Sequence, residues 1–295
     1  MASAALEKLI ASKRANPYRP DKSIEELRAE AERRSAEPLP EGTVCEIVNA
    51  DGVAAEWVLS AGATAEQTFL FIHGGGYYRG SPASSRPATS RLSAATGARI
   101  LSTSYRLAPE NVFPAAIDDV YTAYRWMLNQ GVDPNRSMIG GISAGGGLTL
   151  ALLLKLKEAG DPLPAGAVPM SAWTDMTQSS ETFRTKADID PTISKQYLDR
   201  MAAAYLGGAD PKTPLASPLF GELNNLPPML VQVGTAETMY DDSRLYAEKA
   251  QAAGVNITFE PWEDMIHGWH GSAAVLPEAQ EAIDSIGAFF KGLIS

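Results

Sequence analysis

From Thr43 onward, short apolar runs alternate with amphipathic stretches, and this rhythm narrows the possible folds more than any other feature. "TVCEIVNADGVAAEWVL" reads as two strands joined at Asp51-Gly52, a dipeptide suited to a hairpin turn. "TFLFIH", "ARILSTSY", "RSMIGGI", "AGAVPMSAW", "PMLVQVG" and "NITFEPW" are further strands. A helix ending near Gly97 and the segments "PAAIDDVYTAYRWMLNQG", "AGGGLTLALLLKLKEAG", "DDSRLYAEKAQAAG" and "PEAQEAIDSIGAFFKGLI" alternate with them as helices. Strands that are apolar throughout must be buried on both faces. The alternation therefore predicts an α/β fold with a mostly parallel sheet between helical layers, and the opening hairpin adds an antiparallel edge.

Two regions break the rhythm. Between Trp173 and Leu226 a helical run, "ISKQYLDRMAAAYLGG", lies among Pro- and Asp-containing loops. An insertion of that length after a sheet strand is placed to cover the strand ends where ligands bind. The first forty residues carry "SIEELRAEAERR", with Ser23 and Glu26 as a capping box and Ile24, Leu27 and Ala31 on one face. With the stretch around Leu9 and Ile10 they form one or two amphipathic helices, either a surface arm or part of a lid.

Composition excludes several classes. The formal net charge is −10 and the basic residues are dispersed, so the surface repels phosphate backbones and no nucleic-acid partner is expected. No stretch reaches the roughly 18 apolar residues of a membrane span, so no membrane partner is expected. Glu7 and Lys8 interrupt the opening stretch where a signal peptide would be apolar. The single cysteine, Cys45, has no disulfide partner in the chain and reads as a small hydrophobe in a strand. The expectation is a cytoplasmic protein.

"GGISAGGG" then needs explaining. Gly141 and Gly146 have the spacing of a phosphate-binding P-loop, but Gly147 stands where that loop needs lysine, and G-x-G-x-x-G is absent. Gly141-Ile142-Ser143-Ala144-Gly145 is instead G-x-S-x-G between a predicted strand and a predicted helix. A serine there sits in a strained turn with its hydroxyl above the sheet, next to the free N–H groups and positive dipole of the helix start.

A serine nucleophile needs a base, and the chain has three histidines: His73, His267 and His270. His267 follows the last strand, from which it can reach back over the sheet edge to Ser143. An acid is expected after the preceding strand, where Glu237, Asp241 and Asp242 lie. Glu237 comes first and is the preferred reading, whereas the aspartates open the next helix and suit its N-terminus. The glycines after His73 let the backbone turn sharply and bring N–H groups close to a developing oxyanion, which assigns that role to Gly75, Gly76 and the N–H of Ala144.

"HGGG", "YRLAPE", "GISAGGG", "GTAETMYDDS" and "DMIHGW", in this order, resemble the hormone-sensitive-lipase-like esterases of the α/β-hydrolase fold. The resemblance implies a carboxylesterase with Ser143, Glu237 and His267 as triad and Gly75, Gly76 and Ala144 as oxyanion donors. It implies a catalytic domain over residues 41–172 and 211–295, with cap helices at 1–40 and a cap insertion at 173–210. Many members carry Asp where Ile142 stands and an Asp rather than a Glu as the acid.

The partner is then a small-molecule ester of short to medium chain, and no metal or other cofactor is called for. Tyr77, Trp173, Met201 and Trp269 are candidate pocket residues, as are Tyr78 and Met176. A lactone hydrolase using the same triad is the alternative reading, and a non-catalytic small-ligand receptor comes after it. By analogy with the family, a homodimer through "NITFEPW" and the last helix is expected.

Overall fold

The computed structural model describes residues 2–17 and 22–294. Its strands are β1 (Val44–Ala50), β2 (Val53–Leu59), β3 (Thr64–Ile72), β4 (Ala98–Thr103), β5 (Ser137–Ile142), β6 (Gly166–Met170), β7 (Met229–Gly234) and β8 (Ile257–Trp262). Among the described residues they make one eight-stranded sheet in the order β1-β2-β4-β3-β5-β6-β7-β8. From β4 to β8 all pairings are parallel, while β2 runs against both its neighbours. The hairpin turn has positive φ at both Asp51 (53°) and Gly52 (95°), the geometry that matches the twist of the flanking strands.

The helices are α1 (Ala4–Ala15), α2 (Ile24–Glu32), α3 (Pro82–Thr96), α4 (Ala115–Asn129), α5 (Ala144–Ala159), the short α6 (Thr182–Thr185), α7 (Lys195–Leu206), α8 (Tyr240–Ala252) and α9 (Pro277–Ile294). The pleat decides which face each strand residue serves. Phe69 and Phe71 point into the core with Leu92 of α3 and Ile283, Ile286 and Phe290 of α9. Leu70 and Ile72 point the other way, against Ile117 and Tyr124 of α4, Leu148 and Leu152 of α5 and Tyr246 of α8. Each such side chain is worth about 1.5–3 kcal/mol of burial, so neither face is left to water.

The chain leaves β3 for β4 on one side and returns to β5 on the other. At such a reversal the loops after the two strands diverge and leave a crevice at their carboxyl ends. Both glycine-rich stretches fall there.

The irregular regions gather over that crevice. In α1, Leu6 is fully buried against Met265, Trp269, Leu276 and Ala279. In α2, the capping box of Ser23 and Glu26 forms as expected and Leu27 enters the main core. Arg28 fastens α2 further, donating to the Tyr78 and Ala108 carbonyls at 2.8 and 3.0 Å and pairing with both oxygens of Glu110. That pairing pulls the Glu110 carboxyl down to about 2.

The segment between β6 and β7 is stitched to the loop after β7. Thr182 donates to the Thr238 carbonyl at 2.8 Å, and Lys186 donates to the Thr235 carbonyl. Asp190 accepts from the N–H of Thr238 at 2.9 Å and from Thr192 and Ile193 on its own side. Among the described residues no helix is long and apolar enough to cross a membrane.

Candidate active site

Ser143 joins β5 to α5 with φ 59° and ψ −119°, a conformation that costs a non-glycine residue about 1–3 kcal/mol. Three backbone bonds hold it there. Its N–H donates to the Met170 carbonyl at 2.9 Å, while its own carbonyl accepts from Gly147 at 3.0 Å and Trp173 at 3.1 Å. The glycines flanking it are required by contact. A Cβ on Gly141 or Gly145 would strike the Ile72 carbonyl oxygen at the end of β3, and one on Gly147 would strike the Trp173 carbonyl.

The loop after β3 faces this turn. His73 is 2% exposed, stacked on Tyr105 at 4.3 Å, with its carbonyl accepting from the Tyr105 hydroxyl at 3.1 Å. Burial lowers its imidazole to about 4, so the ring is neutral and structural. Gly75 and Gly76 have φ of 115° and 62°, where side chains are strained. Among the described residues the N–H groups of Gly75, Gly76 and Ala144 have no acceptor. Ala144 stands at the first position of α5, so its N–H also sits at the positive end of a helix dipole.

His267 lies on the loop after β8, and its Nδ1 is 2.8 Å from Glu237 Oε2. Glu237 is fully buried, and its Oε1 accepts from the Gly234 N–H and the Ser171 hydroxyl, both at 2.7 Å. Burial works to lower the His267 pKa, but the hydrogen bond and charge of Glu237 overcome it, and the ring titrates above its ordinary 6.5. His267, Ser143, Gly75 and Gly76 line one cavity of about 710 Å³.

The other acids lie elsewhere. Asp242 Oδ2 accepts from the N–H groups of Thr174 and Asp175 at 2.8 and 3.1 Å, and burial raises its carboxyl to about 8. Asp241 pairs with Arg244 at 2.8 Å. His270 bonds Gln232 in the core, at 2.9 Å.

A strained serine, an acid-bound imidazole and a donor loop, each at a strand end, define the comparison to make. A family profile described as the alpha/beta hydrolase fold matches residues 69–271. An acetyl-hydrolase of Streptomyces hygroscopicus is 44% identical over 83% of this chain and 82% of its own. An esterase of Acinetobacter venetianus is 37% identical over 80% of this chain and 78% of its own. The crystal structure of an esterase from the bacterial hormone-sensitive lipase family superposes with a TM-score of 0.96 at 44% identity, covering 100% of both chains. The chain belongs to the hormone-sensitive-lipase-like esterases of the α/β-hydrolase fold. It is a carboxylic ester hydrolase.

The aromatic residues of this esterase divide. Trp173 lines the cavity of Ser143, and Trp269 lines a smaller one of about 440 Å³ on the other side of His267. Tyr77 and Met201 line neither and are core instead. Tyr77 is 1% exposed and stacks on Tyr205 at 3.8 Å, and Met201 is inward-facing on α7. Tyr78 and Met176 are buried likewise. The apolar cavity wall comes from Ile193, Leu198 and Ile142.

Two residues at the site escape sequence reasoning. Ser171 directly follows β6 with φ 45°, donates to Glu237 and accepts from the Gly268 N–H at 3.3 Å, so one hydroxyl ties the acid to the histidine loop. Asp190 holds the other side of the acid's loop. No motif marks either; only the tertiary contact does.

Proposed function

We propose that Ser143, His267 and Glu237 act as nucleophile, base and acid, with Gly75, Gly76 and Ala144 as oxyanion donors, on esters of short to medium chain. The observation that carries this reading is the 2.8 Å Glu237–His267 contact on the same cavity as the strained Ser143. Glu237 accepts from Nδ1, which leaves the Nε2 lone pair free to take the Ser143 proton. As Oγ attacks the ester carbonyl, the oxygen becomes negative and the three N–H groups receive it. His267 then protonates the departing alkoxide, leaving an acyl-serine. A water gives its proton to His267 as its oxygen attacks the acyl carbon; the acyl–Oγ bond then breaks, His267 returns that proton to Ser143 Oγ, and the carboxylic acid leaves.

Helices α1 and α2 and the 173–210 insertion serve as the cap in this reading, since their residues wall the cavity. The cavity volume suits a small ester rather than a lipid aggregate. A cytoplasmic location and a homodimer through the open edge of β8 and the last helix, α9, belong to the same proposal; gel filtration giving monomer alone would remove the dimer.

The direct test is hydrolysis of p-nitrophenyl esters from acetate to palmitate, with Ser143→Ala alongside. Activity peaking at short chains and absent from the variant is expected. Hydrolysis by the variant at the parent rate would overturn the serine assignment. Turnover confined to lactones would move the substrate class and keep the triad.

A further inference from the structure

The charge lining the site runs against the charge of the chain. The protein carries a formal −10, yet Lys13, Lys22, Arg33, Arg34 and Arg79 line the Ser143 cavity, and among the described residues that line it the only carboxylate is Glu30. Glu30 pairs with Lys22, and the smaller cavity adds Glu37, 3.2 Å from Arg34. Among the described residues neither Lys13 nor Arg33 has an ion-pair partner. Burial, Arg34 and Arg79 all draw the Lys13 ammonium below its ordinary value, so like charges are crowded here. An anion placed among them would relieve that repulsion.

The position of these cations picks out one half of the ester. In the proposed mechanism His267 hands its proton to the leaving alkoxide, so the alcohol portion lies on the His267 side. Lys13 and Arg34 border both cavities, as do His267, Gly268 and Gly271. Arg34 is fixed at this junction by a 2.6 Å bond to the Gly271 carbonyl, four residues beyond His267. The apolar groups, Ile193, Leu198 and Trp173, line the larger cavity alone and suit the acyl chain.

We infer that the esterase acts on esters whose alcohol portion carries an anionic group, a carboxylate or a phosphate, received by Lys13 and Arg34 where the two cavities meet, with Arg33, next to Arg34 in the chain and lining the larger cavity, adding its charge. This rests on the catalytic reading above. A cationic mouth on an acidic protein also steers such substrates to the site in a salt-dependent way.

The test compares kcat/KM for release of the phenol from 4-(butyryloxy)benzoate and from its primary amide, a neutral analogue of similar size that carries the same single ester bond. The anion should be preferred about 5- to 20-fold at low salt, and the preference should shrink as ionic strength rises to about 0.15 M and beyond, where the Debye length falls to roughly 8 Å and less. In the Lys13→Gln/Arg33→Gln double variant the anion-to-neutral ratio should fall at least about 5-fold. A ratio of one or less in the parent, or a ratio unmoved in the variant, would overturn the proposal.

Failure to hydrolyse p-nitrophenyl butyrate would instead strike the catalytic reading. Calorimetric titration with 4-hydroxybenzoate and with phenyl phosphate judges the anion site independently and separates the two anions. Binding that weakens in the double variant supports the site, and no binding of either anion rejects it.

Discussion

At the ends of β3 and β5 the chain meets itself backbone to backbone, whereas α1, α2 and the 173–210 segment reach the same cavity through side chains. The floor is built from Gly141, Gly145 and Gly147 pressed on the carbonyls of Ile72 and Trp173. The wall hangs from Leu6, Leu27, Arg28 and Asp190, each one long or charged group in one socket. Floor contacts admit no substitution because nothing can move aside, while wall contacts can be exchanged singly. The lesson is a division of labour: the reaction is fixed by backbone geometry and the choice of substrate by replaceable side chains.

The sharpest way to break this comparison is at the floor. Ser143→Ala should lower kcat by roughly 10⁴-fold or more with the fold intact by circular dichroism. Ser143→Gly should also be inactive yet melt higher, by an amount equivalent to about 1–3 kcal/mol, because glycine accepts the φ of 59°. Loss of fold in either would mean that the serine does structural work. Glu237→Gln should cost about 10²- to 10⁴-fold in kcat.

The same variant tests the electrostatics. In the proposed mechanism catalysis needs neutral His267, so kcat/KM should fall as pH drops through a pKa that Glu237 holds above 6.5. Without that carboxylate the acid limb should move to lower pH. An unmoved limb would show that another group controls it.

Smaller effects sharpen the boundary between the regions. Ser171→Ala removes one donor to Glu237, and a loss of about 1–2 kcal/mol in transition-state stabilisation, near 10-fold in kcat with little change in KM, is expected. Leu6→Ala, on the wall, should lower stability by about 2–5 kcal/mol and raise KM more than it lowers kcat. A Leu6 variant with a kcat defect as large as that of Ser171→Ala would erase the distinction.

How far the sequence reveals these parts follows the same line. The strands are legible because a sheet covered on both sides must be apolar along its length, as "TFLFI" and "MLVQV" are. Ser143 and the glycines are legible because backbone crowding permits almost nothing else there. Glu237 and His267 follow from strand order. Ser171 is not legible: it is an ordinary serine whose importance comes from a φ of 45° and from a residue 66 positions away. Tyr77 and Met201 are misread as pocket because an aromatic or thioether beside a site is equally good core, and only packing decides. Asp190 is hidden for the same reason, and the short α6 carries no periodic signal of its own.

The joint between Gly145 and the end of β3 also bears on how such a protein can change over generations or in a mutant library. Its serine turn and its donor loop rest on the same pair of carbonyls, Ile72 and His73, so neither can drift without dragging the other. Randomising Gly141, Gly145 or Gly147 would yield mostly unfolded chains, whereas randomising Lys13, Arg33, Ile193 and Leu198 would yield folded variants with shifted appetites. New chemistry is hard to reach from this scaffold, and new substrates are near at hand.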